Sequence, residues 1–197
     1  MGGANSTDIT YEEFMEQFEE VRIEYNSQFG EVRICRKKSD KNIYVMLKEK
    51  WFNNQEIFKA FKQRLEKRQR LSTDHNATIL ATMIDESKEW CSSNFRCLLV
   101  YEFHERTLAK LMRHRMAYKD NNIKFQESDF WSIAKDLVLG LKSFRDLNLH
   151  HGDVQPGNIF VLDNKKLKLI DSCFLNDYDS GFDRKHKDFE YYTPLSP

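Results

Sequence analysis

The sequence has 197 residues, of which 40% are hydrophobic, and 31 lysine and arginine residues balance 31 aspartate and glutamate residues. This length is enough for one core or two small lobes, and the ordinary hydrophobic fraction argues against a disordered chain. Because the formal net charge is zero, no overall electrostatic field draws the chain to nucleic acid or acidic lipid. We therefore expect no nucleic-acid partner.

In chain order, the first half predicts an antiparallel sheet and one main helix. A short helix is expected from Thr10 to Val21, because Thr10 and Glu13 have the spacing of a capping box. Alternating apolar residues then predict a hairpin over residues 18–34. The remaining elements of this half are strands over 42–48, 79–83 and 96–103 and an amphipathic helix over 53–71, which follows the strand at 42–48.

The second half predicts a different architecture, in which helices come first. Helical periodicity covers residues 107–116 and 127–147, and two short strands follow over 159–162 and 166–170. A connector at residues 103–105 separates these helices from the predicted sheet. The organisation is therefore a mainly β lobe followed by the beginning of a mainly α lobe.

Cysteine usage and hydropathy indicate a reducing compartment. The four cysteines form no CxxC pair, so neither a zinc site nor a disulfide framework is predicted. No apolar run approaches the roughly 18 residues needed to span a bilayer, and we expect a cytoplasmic protein. The start MGGANS fits the pattern for myristoylation of Gly2, and one acyl chain there would give weak membrane association.

The stretch HHGDVQPGNIFVLDNKKLKLIDSCF, residues 150–174, carries the polar side chains that point to chemistry. Asn158 comes five residues after Asp153, and Asp171 follows the predicted hairpin. Carboxylate and amide oxygens are ligands that magnesium prefers, and nucleotide phosphates supply its remaining ligands. The set can therefore hold metal and nucleotide together. In the alternative reading, Asp153 and Asn158 satisfy backbone groups as Asx turns in an ordinary loop.

This stretch resembles the catalytic and metal-binding loops of eukaryotic protein kinases, whose patterns are H-R-D-L-x-x-x-N and D-F-G. The chain has H-G-D-V-Q-P-G-N at 151–158 and D-S-C at 171–173. Other segments agree in order: the end of a glycine-rich loop at 28–32, the strand V-M-L-K at 45–48 and the hinge L-V-Y-E-F at 99–103. The resemblance covers residues 18–197.

The resemblance implies an α+β, protein kinase-like fold of two lobes. The N-lobe is expected over residues 18–103, β-rich with one main helix, after an N-terminal tail over 1–17. A partial α-rich C-lobe is expected over 104–197, ending at the activation segment.

The resemblance also implies a role for each matching residue. Lys48 would contact the α and β phosphates of ATP and pair with Glu66. Asp153 would accept the proton of the substrate hydroxyl, while magnesium would be held by Asn158 and Asp171. The remaining positions would surround adenine: Gly30, Val32, Tyr101, Glu102, Phe103 and Phe160.

The expected activity is transfer of the γ-phosphoryl group of Mg-ATP to a serine or threonine hydroxyl of a protein substrate. Two alternatives stay open. One is a pseudokinase, a fold kept as a nucleotide-binding or scaffolding module with weak catalysis. The other is a small-molecule phosphotransferase of the aminoglycoside or choline kinase type, because those enzymes also carry H-G-D followed by an asparagine.

Several positions depart from the kinase pattern and predict weaker function. Tyr25 and Ser27 stand where the first two loop glycines belong, which removes close backbone approach to phosphate. Met46 replaces a small residue and is expected to press on the adenine slot. The remaining departures lie around the catalytic residues and in the helix before them: Arg70, Gly152, Gln155, Ser172 and Cys173.

Overall fold

The computed structural model describes residues 7–27, 30–89, 92–118 and 126–170. The strands are β1 (Thr7–Asp8), β2 (Phe18–Ser27), β3 (Gly30–Lys37), β4 (Tyr44–Phe52), β5 (Ile79–Glu89), β6 (Ser92–Glu102), β7 (Ile159–Val161) and β8 (Leu167–Leu169). The helices are α1 (Tyr11–Gln17), α2 (Gln55–Arg68), α3 (Leu108–Tyr118) and α4 (Glu127–Asp146), with a 3₁₀ turn at Pro156–Asn158. None of the described helices is long and apolar enough to cross a bilayer.

The first six strands form one sheet in the order β1-β5-β6-β4-β3-β2, and β7 and β8 form a separate hairpin. Every neighbouring pair in the large sheet is antiparallel except β1 and β5, which run parallel. The fold class expected from the sequence is confirmed: a β-rich N-lobe with one main helix leads into an incomplete α-rich C-lobe. Strand β1 is an addition that the sequence analysis did not predict.

Helix α2 covers one face of this sheet. It begins after Asn54, whose side-chain oxygen accepts hydrogen bonds from the backbone N–H groups of Glu56 and Ile57, as an N-cap residue does. Its apolar stripe is buried against the sheet among other aromatic rings. The stripe and its partners are Phe58, Phe61, Leu65, Phe52 and Phe95.

Helix α1 covers the opposite face, within the range that the sequence analysis assigned to a tail. The capping box of Thr10 and Glu13 is formed as expected. Phe14 is only 1% exposed and packs in a second core with residues of β3, β4, β5 and β6. The helix stops at Gln17, short of the predicted Val21, because Phe18 onward pairs with β3. Residues 9–17 therefore contribute to the core of the lobe.

The two lobes meet at the loop between α2 and β5 as well as at the connector. Leu169 of β8 donates its N–H to the carbonyl of His75 (2.9 Å), and its own carbonyl accepts from Ala77 N–H (2.7 Å). Buried Asn76 donates through Nδ2 to the Ser143 hydroxyl of α4 (2.7 Å). Hydrogen bonds from one N-lobe loop thus reach both β8 and α4.

Replacement of Gly140 by alanine should destabilise this junction. The added Cβ would lie 2.7 Å from Leu169 Cδ1 and 3.0 Å from the His75 carbonyl oxygen, which is backbone and cannot rotate away. We expect the free energy of unfolding, measured by urea denaturation, to fall by about 1–3 kcal/mol, as in other overpacked cores.

Gly157→Ala is the matched control, since a Cβ at Gly157 meets no atom within 4 Å. Its free energy of unfolding should change by at most about 0.5 kcal/mol. An equal effect of both substitutions would contradict the close packing at Gly140.

Candidate active site

The loop between α4 and β7 holds a buried histidine in a defined tautomer. His151 Nε2 lies 3.0 Å from the Ile170 carbonyl oxygen, and the N–H of Asp153 points to His151 Nδ1 at 3.3 Å. A carbonyl can only accept, so Nε2 carries the proton and Nδ1 accepts. Gly152 between them has a φ of 78°, a region that glycine adopts at no steric cost. The loop conformation thus gives a physical reason for the glycine at this position.

The carboxylate of Asp153 is fixed by two amide donors. Its Oδ2 accepts from Asn158 Nδ2 at 2.6 Å and from Gln155 Nε2 at 3.0 Å. Asn158 Nδ2 also donates to the Asp153 carbonyl (3.1 Å), and the Asn158 carbonyl accepts from Ile170 N–H (2.9 Å). The structure therefore brings Asp153 and Asn158 together, as the sequence analysis expected.

The role of Gln155 was missed by the sequence analysis, which named it only as a departure from the kinase pattern. Its amide holds the Asp153 carboxylate without adding a charge. Its place two residues after the aspartate was the available signal, because an amide so near along the chain can donate to the carboxylate.

The donor set fits a magnesium ion in part. Asn158 uses Nδ2 toward Asp153, which leaves its amide oxygen as the hard ligand. Asp171, the second predicted ligand, lies outside the described residues, as do Ser172 and Cys173. Within the described part of the chain, no group of three histidine, cysteine, aspartate or glutamate side chains is arranged to hold a metal ion.

Lys48 lies inside the sheet. Strand β4 pairs it with Val32 on β3 and Leu99 on β6, and its side chain is buried. The Nζ atom lies 5.3 Å from the centre of the Tyr101 ring, within the range of a cation–π contact. The ammonium group is thus on the inner side of the sheet, next to Tyr101, one of the residues predicted to surround adenine.

Glu66 and Lys48 differ in exposure in this structure. Helix α2 turns Leu65 toward the sheet, and Glu66, the next residue, is exposed to solvent. Lys48, in contrast, is buried. Successive helical residues point about 100° apart, so the pairing that the resemblance implies would require α2 to rotate. Arg70, just after the helix, is exposed as well.

The residues expected around adenine form a compact apolar cluster. Phe160 and Tyr101 are buried at 1% and 0% exposure, with Met46 at 6%, and all three belong to the main core. Val32 and Phe103 pack against this core. Gly30 opens β3 opposite Ser27. The apolar members of the predicted adenine-side set are thus brought into one cluster.

The side chain of Glu102 makes contacts that the sequence analysis did not foresee. Its carboxylate accepts from Lys168 Nζ (2.7 Å) and from the Thr78 N–H (2.7 Å), and His104 Nε2 is 3.3 Å away. Burial by itself would raise the pKa of Glu102, but the hydrogen bonds from His104, Lys168 and Thr78 outweigh it and lower the pKa to about 2. An ion pair thus ties β8 to the hinge.

Comparisons with known proteins agree with this geometry. The sequence pattern of the protein kinase domain matches residues 26–194, most of the chain. The chain belongs to the protein kinase family. A similar curated protein is the membrane-associated tyrosine- and threonine-specific cdc2-inhibitory kinase of Drosophila melanogaster, 26% identical over 180 residues. The match covers 89% of this chain and 31% of that protein, so the chain spans less than a third of the relative's length.

Glu102→Gln should weaken the fold at neutral pH and change its response to acid. A carboxylate whose pKa falls from 4.5 to about 2 on folding contributes stability above pH 4.5, and this contribution is lost as the pH falls through about 2. We expect the variant to lose about 1–3 kcal/mol near pH 7, typical of hydrogen bonds to a charged group.

Urea unfolding between pH 7 and pH 2 measures this effect. The difference in free energy of unfolding between the unchanged protein and Glu102→Gln should shrink as the pH falls from 4.5 to 2. Glu16→Gln, at an exposed position on α1, is the control and should show no such convergence. A constant difference over the whole range would contradict the low pKa.

Proposed function

We propose that this chain is a phosphotransferase of the protein kinase class that moves the γ-phosphoryl group of Mg-ATP to a protein hydroxyl. The main support for this proposal is that the carboxylate of Asp153 is held in a fixed position. Its position is fixed by Asn158 and Gln155 on one oxygen, and by the buried ring of His151 through the backbone. A general base must be oriented before it can accept a proton efficiently.

In the proposed reaction Asp153 orients the acceptor hydroxyl and takes its proton. Its Oδ2 is occupied by two amide donors, which leaves Oδ1 as the oxygen directed to a substrate. Both donors are neutral amides, so they position the carboxylate without placing a charge beside it. The loop can thus serve acid–base chemistry although Gln155 departs from the kinase pattern.

Nucleotide and magnesium would be held by Lys48, Asn158 and Asp171. Magnesium, when bound, neutralises charge on the β and γ phosphates during transfer. The Lys48 ammonium suits phosphate oxygens because it is a compact charge on a flexible stem. Pairing of Lys48 with Glu66 remains a prediction for a state in which α2 has rotated.

The acceptor is proposed to be a serine or threonine of a protein, and tyrosine is a second candidate. The printed name of the Drosophila relative gives tyrosine and threonine as its targets, so peptides with each of the three hydroxyls belong in the assay. Gly152 had favoured a small-molecule acceptor. Its positive φ accounts for the glycine on conformational grounds, which weakens that argument.

We propose a cytoplasmic location with weak membrane attachment if Gly2 is acylated. The relative is named as membrane-associated, and the pattern at Gly2 offers a route to such attachment. Gly2 lies outside the described residues.

A pseudokinase is the second candidate, favoured by the state of the nucleotide side of the cleft. Phe160 is buried at 1% exposure in the same core cluster as Met46, and Glu66 faces solvent. A protein with this arrangement would keep an oriented Asp153 and bind nucleotide poorly. Turnover and nucleotide affinity must therefore be measured separately.

Asp153→Asn should lower phosphoryl transfer by about 10²–10⁴-fold, because the variant lacks the base that accepts the hydroxyl proton. Transfer from radiolabelled Mg-ATP to serine, threonine and tyrosine peptides measures this loss. Melting temperature with and without Mg-ATP, compared in both proteins, reports whether binding survives.

Asp163→Asn is the matched control. Asp163 lies in the turn between β7 and β8, its side chain is 94% exposed, and it contacts Arg106. It should transfer phosphate at the unchanged rate. Turnover that is insensitive to Asp153→Asn would contradict the proposed base, and absence of transfer to every acceptor would favour the pseudokinase.

A further inference from the structure

The apolar core runs without a break from the sheet of the N-lobe to the β7–β8 hairpin. One cluster contains Met46 of β4, Tyr101 of β6 and Phe160 of β7. Val32 of β3 and Phe103 of the connector pack against the same cluster. Strands that belong to different lobes therefore share one core at the position where the resemblance implies an adenine ring.

Phe160 has no free face in this arrangement. Its ring meets the Phe103 ring edge-to-face, with centroids 6.2 Å apart, and the His104 ring at 5.2 Å. Its exposure is 1%. A flat ring placed between two apolar groups needs them about 7–8 Å apart, because each face makes contacts at about 3.5–4.0 Å. A purine can reach Phe160 only after the surrounding side chains move away.

The hinge ion pair supports this closed arrangement. Lys168 lies directly across from Phe160 in the β7–β8 hairpin, and its Nζ bonds to both oxygens of Glu102 at 2.7 and 2.9 Å. His104, which contacts the Phe160 ring, lies 3.3 Å from the same carboxylate. Phe160 is thus held against the hinge through its neighbour on the next strand and through His104.

Met46 is the member of the cluster whose size decides whether a ring fits. It lies two residues before Lys48 on β4, so both side chains emerge on the same face of the sheet, and its register partner on β6 is Tyr101. Methionine is unbranched and fills irregular gaps. An alanine here would remove most of this side chain from the cluster that also contains Tyr101 and Phe160.

We infer that Met46 and Phe160 occupy the volume that adenine would take, so that nucleotide binds only a minor open form and Met46 sets the nucleotide affinity. This inference rests on the proposed function, because it concerns the same nucleotide site. When only a fraction of molecules is competent, the apparent dissociation constant is the intrinsic one divided by that fraction. A smaller side chain at position 46 raises the fraction and tightens binding.

The test is titration of a ribose-labelled fluorescent ADP, with magnesium, into the unchanged protein and into Met46→Ala. We expect Met46→Ala to bind at least about tenfold more tightly, as a shift in the competent fraction requires. Met46→Leu, which nearly conserves volume, is the matched control and should bind like the unchanged protein. Equal affinity in the unchanged protein and Met46→Ala would overturn the inference.

Phe160→Leu provides a second route, because it shortens the side chain on the other side of the same space. It should also bind the labelled ADP more tightly. If Met46→Ala does not unfold cooperatively, Phe160→Leu replaces it in the titration. Tighter binding by Met46→Leu as much as by Met46→Ala would contradict the role of side-chain volume.

Phosphoryl transfer, measured in parallel, separates this inference from the proposed activity. If Met46→Ala binds nucleotide more tightly but no phosphoryl transfer occurs, the result supports the inference that Met46 and Phe160 fill the adenine volume, and it contradicts kinase activity. Transfer by the unchanged protein, with no gain in affinity on Met46→Ala, contradicts the filled slot and supports kinase activity. Absence of nucleotide binding in every folded variant contradicts both.

Discussion

Backbone hydrogen bonds of residues 167–170 connect the separate parts of this molecule. Leu167 donates to the buried carboxylate of Asp136 on α4 (3.0 Å), and Leu169 bonds in both directions to the loop at 75–77. Ile170 donates to the Asn158 carbonyl and accepts from His151. Because buried backbone groups must find partners, this short strand positions α4, the N-lobe loop and the catalytic loop together.

The same hairpin produces the contrast between the two sides of the cleft. On one side, Ile170 orders His151 and Asn158, and through them the carboxylate of Asp153. On the other side, Phe160 is packed into the core of the N-lobe. The carboxylate proposed as the base is thus well oriented, while the volume proposed for adenine is occupied by side chains. A single short hairpin and the residue after it thus contact both the loop that holds Asp153 and the core of the N-lobe.

Local sequence patterns predicted those structural features that depend on residues close together along the chain. The capping box at Thr10 and the amphipathic spacing over residues 53–71 act within a few residues, and both appear in the structure. Burial of Phe14 was missed because its partners lie on four other strands. The contact of Lys168 with Glu102 spans 66 positions, and no periodicity encodes such a distance.

The sequence by itself determined the family, the order of the elements and the grouping of Asp153 with Asn158, because these follow from motif spacing and local hydrogen bonding. Only the tertiary structure decided how α2 is rotated and how much room is left beside Phe160. The rotation of α2 about its own axis leaves Glu66 exposed. This rotation depends on which apolar residues of the helix pack against the sheet. The space available beside Phe160 depends on how side chains of the two lobes pack together. Protein interiors leave few voids, so a change of even one methylene group alters this space.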